Sequence, residues 1–213
     1  MEPIQSLPES SEPSKSSPEI YDRLYRAIPG VMERYGIPKK FINADWLRPT
    51  SLAMDLIHST GVCLTGKAGV GKTAALCLLV RDWLIESAKK SNSPVWGNHY
   101  SWRFISFPEF IMEVQDSFRR RDGEQSAFDM LKSIAETKHL IIDDLGAEKP
   151  TEYVRQATYY IINHREMHML PTFITTNFSM DHLDQNLDSR ISSRIAGMCE
   201  IIRFEGKDRR LEK

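Results

Sequence analysis

The chain has 213 residues and a mass of 24.5 kDa, enough for one domain of ordinary size plus a tail. Its 41% hydrophobic and 27% charged residues allow a buried core, and a net charge of −1 excludes a global basic field, so any nucleic-acid contact must come from a local patch. The three cysteines, Cys63, Cys77 and Cys199, show neither a CxxC pair nor metal-ligand spacing, and no apolar run approaches the roughly 20 residues that span a bilayer; a reducing, cytoplasmic setting away from membranes is expected.

Residues 1–18 are mostly Ser, Pro and Glu and are expected to be disordered. From Glu19 to Met32 apolar residues recur at helical spacing (Ile20, Leu24, Ile28), with Pro29 predicted to interrupt or end the helix. The segment YGIPKKFINADW, Tyr35 to Trp46, reads as a strap, so residues 19–50 form an N-terminal helix and strap, and a core is expected over 51–213. That core opens with a helix around Ser51 to Ser59. Strand and helix then alternate: strands at Gly61 to Leu64, Arg103 to Ser106, Leu140 to Asp143, Thr172 to Thr175 and Cys199 to Phe204. The intervening helices are Thr73 to Ser87, one opened by a capping box at Ser106-Phe-Pro-Glu109, Ala127 to Thr137, and one capped by Thr151. This alternation predicts an α/β fold, a parallel sheet covered on both faces.

Gly66-Lys67-Ala68-Gly69-Val70-Gly71-Lys72-Thr73 matches G-x-x-x-x-G-K-[ST] at every fixed position, between a strand and a helix. Glycines there let backbone N–H groups curl around a β-phosphate, and the helix N-terminus adds a favourable dipole. Lys72 then reaches the β- and γ-phosphates of ATP, and the Thr73 hydroxyl ligates Mg²⁺. Leu140-Ile141-Ile142-Asp143-Asp144 is an apolar strand ending in two carboxylates. Beside a P-loop strand, Asp143 holds Mg²⁺ and Asp144 sits nearer the attacking water; the alternative is a pair of acids that merely end a strand.

HLIIDDLGAEK, then PTFITTN, then DSRISSRI, occurring in that order, resemble the AAA+ ATPases of the DnaC/DnaI helicase-loader and IstB transposition-helper group, over about Gly36 to Arg210 and including GIPKKF in the strap. The resemblance implies a P-loop NTPase sheet of order 5-1-4-3-2 and assembly into a ring or spiral with nucleotide between neighbouring subunits. By position, Asn177 matches the polar sensor near the γ-phosphate, Arg194 the arginine finger that reaches the next subunit's site with Arg190 assisting, and Arg210 a second sensor arginine on the nucleotide. Arg190 and Arg194 lie four apart and share a helix face, beside a stripe of Leu187, Ile191 and Ile195. Many AAA+ proteins carry Glu where this chain has Asp144. The shorter acid predicts slow, switch-like hydrolysis. Loaders of this group usually carry a helicase-binding domain ahead of the core. Here a tail, helix and strap precede it, which either speaks against helicase binding or moves that role to the short N-terminal segment, and no separate helical lid is expected after the fifth strand.

Phe118-Arg119-Arg120-Arg121 ends the helix that begins at Ser106. In relatives of this group the insertion between the second and third strands grips single-stranded DNA, and three cations beside an aromatic suit phosphates and bases. The alternative is cations that complement a helix dipole above a core Phe. His164 and His168, four apart, read as a solvated helix face rather than a metal site. The expected function is a DnaC/DnaI-like ATPase that binds ATP-Mg and ssDNA as a homo-oligomer and serves a replicative helicase. Two rival readings are an IstB-like helper of a transposase and a nucleotide-gated adaptor with negligible hydrolysis.

Overall fold

A computed structural model describes residues 18–42, 61–91, 102–118 and 125–208. The helix expected at Ser51 to Ser59, residues Arg119, Arg120 and Arg121, and Arg210 lie outside the described residues. Elements run α1 (Pro18–Arg34), α2 (Lys39–Ile42), β1 (Gly61–Thr65), α3 (Lys72–Ser91), β2 (Trp102–Ser106), α4 (Phe107–Ser117), α5 (Ala127–Ala135), β3 (His139–Asp143), α6 (Glu152–Met167), β4 (Thr172–Thr176), α7 (Met180–Asn186), α8 (Ser189–Met198) and β5 (Glu200–Arg203). The five strands form one sheet of order β2-β3-β4-β1-β5, with every paired neighbour parallel. Read from the other edge, this is the 5-1-4-3-2 order expected above.

The period-2 alternation of the strands sorts their side chains between two apolar layers. Val62, Leu64, Ile141 and Phe173 face one layer, where α1 and α3 contribute Ile28, Met32, Leu76 and Leu79. Cys63, Leu140, Ile142 and Ile174 face the other, filled by α4 to α8 through residues such as Phe107, Ile134, Ile161 and Ile195. All three cysteines are buried free thiols, and burial raises the pKa of each.

Pro29 corrects one expectation, since α1 runs through it to Arg34. A mid-helix proline costs about 3 kcal/mol. Ile28, Val31, Met32 and Tyr35, all buried at 5% exposure or less, each contribute about 1.5–3 kcal/mol by leaving water. Burial outweighs the break. A second correction concerns Ser106, which is the N-cap of α4 but makes no side-chain cap bond. Pro108 at the second helical position has no N–H to offer it, and the Glu109 N–H three residues on is not engaged by it either. The caps of Ser126, Thr151 and Ser179 do form, each accepting from the backbone N–H three residues on.

One buried cation ties the layers together. Arg165 of α6 is 0% exposed. It donates to Thr172 Oγ1 at 2.8 Å and to the carbonyls of Ala135, Thr137 and Pro171 at 3.0, 2.6 and 2.6 Å. Burial lowers its pKa to about 9, so it is charged at neutral pH. These partners lie at the end of α5, in the turn into β3 and at the start of β4, so one guanidinium fixes how three elements meet.

Candidate active site

The site gathers at the carboxyl ends of β1, β3 and β4, where a parallel sheet opens a crevice. β1 delivers the loop Gly66 to Gly71, and α3 starts at Lys72. Gly66, Gly69 and Gly71 all have positive φ, at 140°, 78° and 107°, a region open to glycine without penalty. Space gives a second reason for two of them. A Cβ on Gly66 would run into the Phe204 carbonyl, and one on Gly69 into the Asp208 carboxylate. The segment after β5 therefore lies along the loop, anchored where the Phe204 N–H donates to the Thr65 carbonyl at 2.7 Å.

Lys72 is 5% exposed. Its Nζ donates to the carbonyls of Gly66 and Lys67 at 2.8 and 2.9 Å and to Asn177 Oδ1 at 2.8 Å. The loop thus wraps back on its own lysine, and the end of β4 meets it. Thr73 Oγ1 donates to Asp143 Oδ1 at 2.7 Å. That pair supplies two hard oxygen donors. Among the described residues no cluster of three or more His, Cys, Asp or Glu could hold a metal. Such sparse oxygen donors fit Mg²⁺, which takes one or two protein oxygens and completes its shell from phosphate and water.

Thr175 went unnoticed in the sequence. It is 0% exposed, and its hydroxyl donates to Asp143 Oδ1 at 2.7 Å while accepting from the Asp144 N–H at 2.9 Å. One side chain on β4 thereby orients both acids. A buried Thr among apolar strand residues, in register near the acids, was the available signal. Burial raises the pKa of Asp143, against the pull of hydrogen bonds from Thr175 and Thr73. Asp144 has φ 57°, left-handed backbone that Asp tolerates better than most residues. Its N–H is held there by Thr175.

A cavity of about 600 Å³ joins these parts, lined by Ala68, Gly69, Lys72, Thr73, Asp143, Asp144 and Asn177. Lys40 and Phe41 of the strap complete its wall. Neither figured among the candidate site residues read from the sequence.

Arg190 and Arg194 are brought together, though with partners on their own chain. Their guanidinium carbons lie 4.9 and 5.0 Å from the centre of the Tyr159 ring. Arg190 makes a two-pronged bond to Asp188 at 2.9 and 2.7 Å, which lowers the Asp188 pKa to about 2. Arg194 Nε bonds Asn163 Oδ1 at 3.0 Å and pairs with Glu166 at 3.1 Å. Phe118 falls just past the end of α4. It does not join Phe110 and Val114 in the core but is 61% exposed, edge-on to Tyr153 with ring centres 5.3 Å apart.

No protein-family profile matches the chain. It is 31% identical over 163 residues to the replicative helicase loader DnaI of Bacillus subtilis, covering 70% of this chain and 47% of that protein. It is 21% identical over 131 residues to the replicative helicase loader DnaC of Escherichia coli, covering 62% and 48%. The chain thus spans about half the length of the curated relatives it matches. Among solved structures, a DnaC helicase loader superimposes with a TM-score of 0.59 at 22% identity, over 79% of this chain and 100% of that one. The AMPPCP-bound DnaA of Aquifex aeolicus gives 0.54 at 16% identity, over 72% and 44%. At these identities the structures establish the fold.

Proposed function

We propose that this chain, similar to the DnaI and DnaC helicase loaders over about half their length and sharing the fold of a DnaC loader, is an ATP-dependent AAA+ accessory of DNA replication that engages a replicative helicase. The observation that carries this reading is the convergence on one cavity of Lys72, Thr73, Asp143 and Asn177, drawn from the start of α3, the end of β3 and the turn just after β4. In it the glycine loop cradles the β-phosphate, Lys72 balances the β- and γ-oxygens, and Thr73 with Asp143 hold Mg²⁺. Magnesium, when bound, neutralises charge developing on the phosphates. Asp144 and Asn177 orient the attacking water. The Asp144 carboxylate is one methylene shorter than the glutamate of many such enzymes, so turnover is slow.

Arg194, with Arg190 beside it, completes the site of a neighbouring subunit in a ring or spiral. Its bond to Glu166 holds the guanidinium in place until a neighbour docks. Single-stranded DNA lies along Phe118 and the arginines that follow it. The DnaI and DnaC relatives are both named replicative helicase loaders, which favours a helicase over a transposase as partner. ATP turnover measured alone, with ssDNA and with duplex DNA tests the reading. Stimulation by ssDNA, with capture of a replicative helicase only in ATP-Mg²⁺, is the expected result. Stimulation by duplex alone favours a transposition helper. Nucleotide binding without turnover under any condition favours a gated adaptor.

A further inference from the structure

The strap brings one more cation to the rim of the cavity. Gly36 has φ 82°, and a Cβ there would lie 2.9 Å from the Phe104 carbonyl, so glycine alone lets the chain turn against the edge strand β2. The Tyr35 carbonyl accepts from the Phe104 N–H at 2.7 Å, which pins the strap to that edge. Tyr35 and Ile37 are buried in the layer beneath α1 and α3. From this anchor the chain turns again, the Phe41 N–H donating to the Pro38 carbonyl at 2.8 Å. Phe41 then packs against Ala74 and Leu78 at the start of the P-loop helix.

Lys40 is left between these two fixed points, with Nζ 4.8 Å from the centre of the Phe41 ring. It borders the 600 Å³ cavity together with Lys72, Thr73, Asp143 and Asp144. It also borders a second, wider cavity of about 1360 Å³ along the β2 edge, which shares Phe41, Asp143 and Asp144 with the first. Lys40 therefore stands where the two spaces meet, across from the acidic pair.

We propose that Lys40 is a positioning residue for the terminal phosphate, approaching the γ-phosphate from the strap side while Lys72 holds it from the loop side. Resting on the nucleotide reading above, this adds to that site a residue that distinguishes ATP from ADP. A terminal phosphate beside Asp143 and Asp144 brings three like charges together, and a cation on the open side offsets their repulsion. ADP lacks the group that Lys40 meets.

The test compares binding of a fluorescent non-hydrolysable ATP analogue and the matching ADP analogue, both with Mg²⁺, by the full chain and by Lys40→Met and Lys40→Arg. Methionine keeps an apolar stem over Phe41 and removes the charge. In Lys40→Met the ratio of ATP-analogue to ADP-analogue affinity is expected to fall about tenfold, the lower end for one hydrogen bond to a charged group. ADP-analogue affinity is expected to hold within about twofold, and Lys40→Arg to recover most of the ratio. An unchanged ratio in Lys40→Met overturns the proposal. So does an equal loss for both nucleotides, which is the mark of a strap that only supports the loop. If the unsubstituted chain binds neither analogue, it is the underlying nucleotide reading that fails.

Discussion

The ammonium of Lys72 and the side-chain oxygen of Asn177 meet at 2.8 Å across 105 residues of sequence. The bond links the P-loop helix to the end of β4, and so ties the group proposed to grip phosphate to the one proposed to sense it. In Asn177→Ala, Lys72 keeps the carbonyls of Gly66 and Lys67 as acceptors. Nucleotide affinity is therefore expected to change by about threefold or less. Turnover is expected to drop at least about tenfold, because a polar group aimed at the reacting phosphate is lost. Parallel measurement of Kd and kcat checks this, and an equal loss in both contradicts a sensing role.

Thr175 offers a second test, through stability as well as chemistry. Thr175→Val keeps the shape of the buried side chain but withdraws the donor to Asp143 and the acceptor for the Asp144 N–H. Leaving such buried groups unsatisfied costs about 1–3 kcal/mol, readable as a lower denaturant midpoint at unchanged slope. Turnover is expected to fall with it, and Thr175→Ser to restore both. A stable, fully active Thr175→Val rules out the positioning of the acids described here.

Arg165 concerns the scaffold alone. Arg165→Met removes the donors that reach the buried Ala135 carbonyl and the partly buried Thr137 and Pro171 carbonyls, of which Pro171 keeps the Leu140 N–H. A loss of about 3 kcal/mol is expected, with nucleotide affinity unchanged wherever the protein is folded. Chemical denaturation beside a nucleotide titration separates the two effects.

How much of this was legible beforehand depended on whether the signal was local. The phosphate loop is a contiguous motif whose glycines answer to backbone conformation; Lys72 and Thr73 could be named from spacing alone, and Asp143 from an apolar strand ending in acids once that loop was recognised. Strand order followed from resemblance and proved right. Pro29 misled because its local cost is real, whereas the burial of Ile28, Val31 and Met32 that outweighs it is tertiary. Ser106 misled in the opposite sense, a correct cap position at which no side-chain bond forms. Thr175, Arg165 and Lys40 were passed over for a shared reason. A threonine in a strand, an arginine between two histidines and a lysine in a strap look ordinary until folding sets each beside acceptors or acids distant in sequence.

Arg194 makes the oligomer testable. The Arg194→Ala chain should bind nucleotide normally yet hydrolyse it at least about 10³-fold more slowly, the low end for an arginine finger. Mixed with Lys72→Ala, which retains its own Arg194, the two inactive chains should recover turnover as composite sites form. Mixtures that stay inactive, although they co-assemble, argue that Arg194 acts only within its own chain, through Glu166 and Asn163.

The most direct measurement is a titration with a fluorescent ATP analogue, with and without Mg²⁺, of the intact chain and of Lys72→Ala. Saturable binding that strengthens with magnesium and weakens by at least about 100-fold without the Lys72 ammonium is what a triphosphate held by Lys72, Thr73 and Asp143 requires. Equal binding by both proteins, or none by the intact chain, would contradict it.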